Sequence, residues 1–273
     1  MGKIYDKLKS KPLDEQRAAI RAGTYCSHTA GLGKGYLQAN IVILPEDYAL
    51  DFMRFCQRNP KPCPLAGVSD TGNPIMHTMG RQIDIRTDVP AYNIYRDGGL
   101  MGSTQDISNL WRDDLVAFAL GCSFTFEHAL MRAGIPVWHI ENNKTVAMFR
   151  SNIDTVPSGP FSGKMVVSMR AVPKDRIDDA TEISRRFPLA HGAPLYRGDP
   201  KGIGIINISE PDWGDPSPIG PGEEPVFWAC GVTPQVAIEA ARMPLCITHK
   251  PGHMLITDIA EDAEIPILTP EQA

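Results

Sequence analysis

The chain has 273 residues, 32 of them acidic and 27 basic, for a net charge of −5, and 42% are hydrophobic. That is enough for one large domain or two modest ones around a substantial core. The acidic balance and the lack of any basic run exclude a dominant role on nucleic acid or an anionic membrane surface, and no apolar stretch reaches the ~20 residues that span a bilayer. Six scattered cysteines (Cys26, Cys56, Cys63, Cys122, Cys230, Cys246) and an N-terminus without the apolar core of a signal peptide fit reduced thiols and a cytoplasmic protein. The 24 glycines and 24 prolines are dispersed through motif-like segments, which suggests many shaped loops on a rigid scaffold.

In chain order, residues 5–22 read as a helix with Leu13, Ala18, Ala19 and Ile20 on its apolar face. After the glycine-rich TYCSHTAGLGKGY, the run ANIVILP reads as a buried strand, and Glu46 to Arg58 as a helix stopped by NPKPCP. DIRTDVPAYNIYRDG reads as loop or extended chain, and 104–119 as helix-like. Then AFALGCSFTFEHAL reads as a strand, a tight turn at Gly121-Cys122-Ser123 and the start of a helix. FWACGVTPQVAIEAARMPLC, 227–246, repeats that grammar, either as a structural pseudo-repeat or as the common idiom of α/β chains. Between the two, KTVAMFRSNI and SGKMVVSMRAVP read as strands and KDRIDDATEISRRF as a helix, the order of an α+β unit. The fold expected is therefore two-lobed α/β. A mixed-sheet main domain is built from residues 1–144 with 196–273, and a smaller α+β domain is inserted at 145–195.

The turn after the first such strand presents unpaired backbone N–H groups at the positive end of a helix, where a carboxylate or developing oxyanion binds. Cys122 there is either a nucleophile with a lowered pKa or a small buried thiol; Ser123 is either an anion donor or a helix cap. Gln38 and Asn40 alternate on one strand face, facing either substrate or solvent. Asp84, Arg86 and Asp88 would share a face of an extended chain, with Arg86 either clamping a carboxylate or belonging to a surface charge ladder. His191, Arg197 and Asp199 sit in Gly/Pro-shaped backbone, as do His249, Lys250, His253 and Asp258. His249 and His253 are four apart, but Pro251 and Gly252 exclude the helix that zinc ligation at that spacing needs, so no metal is assigned and a general base is the better role.

NIVILP, FCQRNPKPCPL, DIRTDVPAY, GCSFTFEHAL, SGPFSGKMVVSMR, HGAPLYRGDPKGIGI, FWACGVTPQVA and THKPGHMLITD occur in this order. Together they resemble the D-glutamate cyclase family over about residues 20 to 260. The resemblance implies a two-part α/β architecture and a carbon–oxygen lyase, concretely one converting D-glutamate to 5-oxo-D-proline with loss of water. Such a reaction requires a base (His253, His249 or Lys250), an acid with a raised pKa (Asp258 or Asp199) and an oxyanion cradle at Cys122 and Ser123. It also requires an arginine on the α-carboxylate (Arg86, Arg170 or Arg197). It calls for no cofactor. The expected partner is a small amino or hydroxy acid, and a homo-oligomer is compatible with the composition. A dehydratase of another hydroxy or amino acid and a noncatalytic carboxylate-binding protein are the alternatives.

Overall fold

The computed structural model describes residues 2–263. The first elements are α1 (Gly2–Lys9) and α2 (Leu13–Arg21), so the single helix expected over 5–22 is broken. Pro12 stands at the N-cap of α2, where its missing N–H ends one helix and suits the start of another. β1 (Tyr36–Pro45), α3 (Glu46–Arg58), β2 (Leu65–Val68), β3 (Tyr92–Arg96) and β4 (Gly99–Thr104) follow. The stretch 104–119 is not helical: after a short 3-10 turn at Ser108–Leu110 it becomes β5 (Leu115–Gly121). Every residue of β5 is buried, so its unbroken apolar run is that of a central strand covered on both faces. The chain continues through α4 (Phe124–Arg132), α5 (Trp138–Glu141), β6 (Ala147–Asp154), β7 (Lys164–Pro173) and α6 (Ile177–Arg185). It ends its described course with β8 (Tyr196–Arg197), β9 (Glu223–Ala229), α7 (Thr233–Ala241), β10 (Cys246–His249) and β11 (Leu255–Ala260).

Two sheets result. The larger runs β2-β5-β1-β10-β3-β4, with β11 also on β1; the smaller runs β6-β7-β9-β8. The protein is α/β, but every strand pair described is antiparallel, which corrects the mixed sheet expected. The reason lies in the crossovers. β5 belongs to the larger sheet, yet after α4 and α5 the chain enters the smaller one at β6; β9 belongs to the smaller, yet after α7 the chain returns at β10. β1 and β2 do share a sheet across α3, but β5 lies between them. The smaller sheet also draws β8 and β9 from beyond residue 195, and one core packs Phe124 and Phe126 of α4 with Val166 and Trp228 of the smaller sheet. Among the described residues, no helix is long and apolar enough to cross a membrane.

The end of β5 is tightly enclosed. A Cβ on Gly121 would overlap the carbonyl oxygen of Leu189, and one on Gly231 would overlap the side-chain amide of Asn40. Backbone cannot swing aside as a side chain can, so Gly121→Ala is expected to cost about 3 kcal/mol or more. Urea unfolding checks this; a variant within 1 kcal/mol of wild type would refute the packing described.

Candidate active site

The two strand–turn–helix units bring their turns to the junction of the sheets. Cys122 and Cys230 occupy equivalent places: each thiol accepts the N–H two residues on, from Phe124 and Val232. Both are buried. Burial pushes the Cys230 thiol up to about 11 and the Cys122 thiol higher still, outweighing the N–H groups that favour a thiolate. The Cys122 thiol therefore stays protonated at neutral pH, so of its two readings the small buried thiol is the one this turn favours.

Beside the turns lies a buried charge. Arg170, on β7, is 3% exposed and surrounded on every side. Its Nε donates to Glu127 Oε1 (3.0 Å), Nη1 to Ser168 Oγ (3.1 Å), and Nη2 to Ser123 Oγ (2.9 Å) and Glu127 Oε1. The rings of Phe126 and Trp228 flank the guanidinium at 5.1 and 5.3 Å. Glu127 Oε1 also lies 2.9 Å from Nε2 of His139. Burial alone would raise the Glu127 carboxyl, but His139 and Arg170 bring it down to about 2. Arg170 is thus committed to the protein and not to a substrate carboxylate. Ser123 sits at the N-cap of α4 without capping it; its hydroxyl accepts from Arg170, which leaves the hydroxyl proton to point elsewhere.

Two further groups face this end of β5. His191, 2% exposed and left-handed at φ 75°, holds Nδ1 2.7 Å from the carbonyl of Lys61. Only a ring N–H bonds a carbonyl, so Nδ1 carries the proton and Nε2 keeps a free lone pair, which has no protein partner. Burial lowers the ring to about 4, so it is neutral. Lys61 Nζ donates back to the carbonyls of His191 (3.3 Å) and Ala193, and burial lowers its pKa as well. The same loop, through Pro64 O, receives Gly121 N–H at 2.9 Å.

Of the other residues singled out in the sequence, Asn40 donates to Leu120 O (3.2 Å) and Gly121 O (2.9 Å), and so holds the end of β5. Gln38 donates to Leu32 O (2.8 Å) and Thr29 O (3.2 Å), leaving Oε1 unpartnered. Both are buried, so that strand face is not solvated. His249 is buried next to β1, and His253 holds Nδ1 2.9 Å from Pro251 O. Exposed Lys250 lines a cleft of about 450 Å³ with Asn93, Tyr95, Arg150, Trp213 and Glu239, drawn from both sheets. Elsewhere, Asp258 is held by Arg17 at 2.5 Å and by the Arg81 N–H. Arg86 chelates Asp84 and Asp88 binds Arg21, because 84–88 is a turn and not an extended ladder. Arg197 is exposed, 3.7 Å from Asp178, and Asp199 caps the 3-10 turn at Pro200–Ile203. The structure therefore gathers Ser123, Cys122, Arg170 and Asn40, with Gln38 and His249 on and beside β1. It leaves Asp258, Arg86, Arg197 and Asp199 with other partners. Lys61, Glu127 and His139 were not singled out in the sequence; the proline-locked NPKPCP loop is the one local signal for Lys61.

Among the described residues, no three of His, Cys, Asp and Glu are grouped to hold a metal ion. The family model described as D-glutamate cyclase matches residues 116–258, a span holding both turns and Arg170. A protein of Dinoroseobacter shibae named "Putative hydro-lyase" is 76% identical over 98% of this chain and 89% of its own. One of the same name from Ruegeria pomeroyi is 74% identical over 98% of both chains, and one from Jannaschia is 62% identical over 92% and 94%. Among solved structures, a nitrogen repressor-like protein of Methanococcus jannaschii gives a TM-score of 0.38 at 12% identity, over 85% of this chain and 89% of that one.

The buried charges set an acid limit. His191, His249 and His253 are all held by burial near 4. The unfolded chain takes up protons on them from about pH 6.5 downward while the native state does not. Stability is thus lost as pH falls from about 6.5 to 4. Below that, Glu127, lowered to about 2, adds a further loss from its ordinary value downward. Urea midpoints from pH 8 to 4 are expected to fall steeply below 6.5; a flat profile would contradict neutral buried rings.

Proposed function

The chain belongs to the D-glutamate cyclase family, and we propose that it removes water from a small carboxylate, concretely by cyclising D-glutamate to 5-oxo-D-proline. In that reaction the ammonium gives up two protons and the side-chain carboxylate one oxygen, which leave together as water, while a bond forms from nitrogen to the carboxyl carbon. The substrate's own amine is the nucleophile, so a protonated Cys122 is no obstacle.

The observation that carries the reading is the Ser123–Arg170 hydrogen bond. A hydroxyl that accepts from a buried cation is a stronger donor with its own proton, and it is fixed in place before substrate arrives. We assign Ser123 to the oxyanion of the tetrahedral intermediate, with Arg170 and Glu127 as positioning residues. The free lone pair of His191 Nε2 accepts the amine proton, and Gln38 Oε1 accepts a hydrogen bond from the ammonium. Lys61, whose lowered pKa eases proton release, protonates the leaving oxygen.

Chiral chromatography of 5-oxoproline formed from each glutamate enantiomer tests the assignment. Ser123→Ala is expected to lower kcat by about 10²–10³, the usual worth of one oxyanion donor, whereas Cys122→Ala retains most activity. If wild-type protein forms no 5-oxoproline from either enantiomer, the substrate is wrong; if Ser123→Ala is as active as wild type, the site is.

A further inference from the structure

The larger sheet is split opposite Asn40 and Ile41. β10 pairs with β1 at Val42 and Ile43, β11 pairs with it between Tyr36 and Ala39, and residues 250–254 between them form no strand. The imidazole of His249 stands in the gap. The backbone N–H of Ile41 donates to its Nδ1 at 3.1 Å; the Ile41 carbonyl, at 3.3 Å from the same nitrogen, is the longer contact. A ring nitrogen that accepts an N–H carries no proton, so the neutral ring has its proton on Nε2. That Nε2–H has no protein partner, although His249 is 0% exposed.

The residue is also rigid. Its carbonyl accepts from Gln235 Nε2 at 3.1 Å and from Thr248 Oγ1 at 2.9 Å. Its structural task is complete at Nδ1, and the distal donor is left without a protein partner, which is costly unless another group pairs with it.

The geometry points to His249 as a further substrate-binding residue whose Nε2–H donates to an oxygen of a bound carboxylate or lactam. This reverses the base role considered for it in the sequence. It rests on the reading of the protein as an enzyme of small carboxylates. His191 and His249 then form a complementary pair, since their backbone partners fix opposite tautomers: a lone pair free on one, an N–H free on the other.

Nitrogen-15 NMR of the full chain labelled at histidine tests the inference, with His249 assigned by loss of its signals in His249→Asn. Asn keeps an acceptor at the Nδ1 position for Ile41 and removes the distal donor. The resting ring is expected in the Nε2–H form, its Nε2 resonance is expected to move on addition of 5-oxo-D-proline, and His249→Asn is expected to bind that lactam about tenfold more weakly. A ring protonated on Nδ1, an Nε2 signal unmoved at saturating lactam, or unchanged affinity in a folded variant would each overturn it. If the variant does not fold, the wild-type spectra alone decide. Cyclisation with a silent His249 sinks this inference only. A His249 that answers to other carboxylates in a protein that cyclises neither glutamate sinks the substrate assignment only.

Discussion

A guanidinium cannot give up its charge, so burying Arg170 obliges the protein to surround it with acceptors and aromatic faces. Those acceptors come from both halves of the molecule. Glu127 and Ser123 ride on the unit that leaves the larger sheet, while Arg170 and Ser168 stand on β7 of the smaller. The interaction therefore fixes the relative placement of the sheets at the point where the turns meet. A buried ion pair of this kind adds little net stability over a well-packed apolar replacement, although removing one partner costs about 3–5 kcal/mol. Its distinctive product is position: the hydroxyl of Ser123 is held in one orientation by a charge that cannot leave.

The exchange of strand–turn–helix units between sheets explains the rest of the site's geometry. Each unit starts in one sheet and delivers the chain to the other, so both turns fall at the junction, each with its cysteine against the N–H two residues on. The two glycines follow from the same arrangement. Gly121 abuts the Leu189 carbonyl and Gly231 abuts Asn40, and only a residue without Cβ allows that approach.

Where local pattern governs, the sequence is readable. β1, α3, β6, β7 and α6 lie where periodicity and proline punctuation put them, and the repeated grammar of 117–130 and 227–246 marks the two turns. Pairing is not readable in this way, because strand direction depends on which sheet a helix returns to. The same limit hides the site. His191 meets Lys61 across 130 positions and Arg170 meets Glu127 across 43, distances over which no spacing rule operates. Asp84, Arg86 and Asp88 show the opposite failure: alternation suggested a ladder, but a turn lets Arg86 satisfy itself on Asp84 two residues away. For Cys122 the competing effects were both visible in the sequence, and only burial decides between them. A few aligned N–H dipoles lower a thiol pKa, but desolvation raises it further when no cation touches the sulfur.

The same competition governs the histidines. Burial holds His191 and His249 neutral, so neither brings charge to the junction, and what distinguishes them is the tautomer imposed by a backbone group. A carbonyl at Lys61 demands an N–H, and an N–H at Ile41 demands a lone pair. In the tautomers inferred for them, two identical side chains present opposite faces, a lone pair on one and an N–H on the other. In the cyclisation proposed, which moves protons from an ammonium to a departing oxygen, the two rings would supply acceptor and donor, while Arg170 stays paired with Glu127. The sensitivity to acid then resides in the fold that keeps these rings buried and neutral.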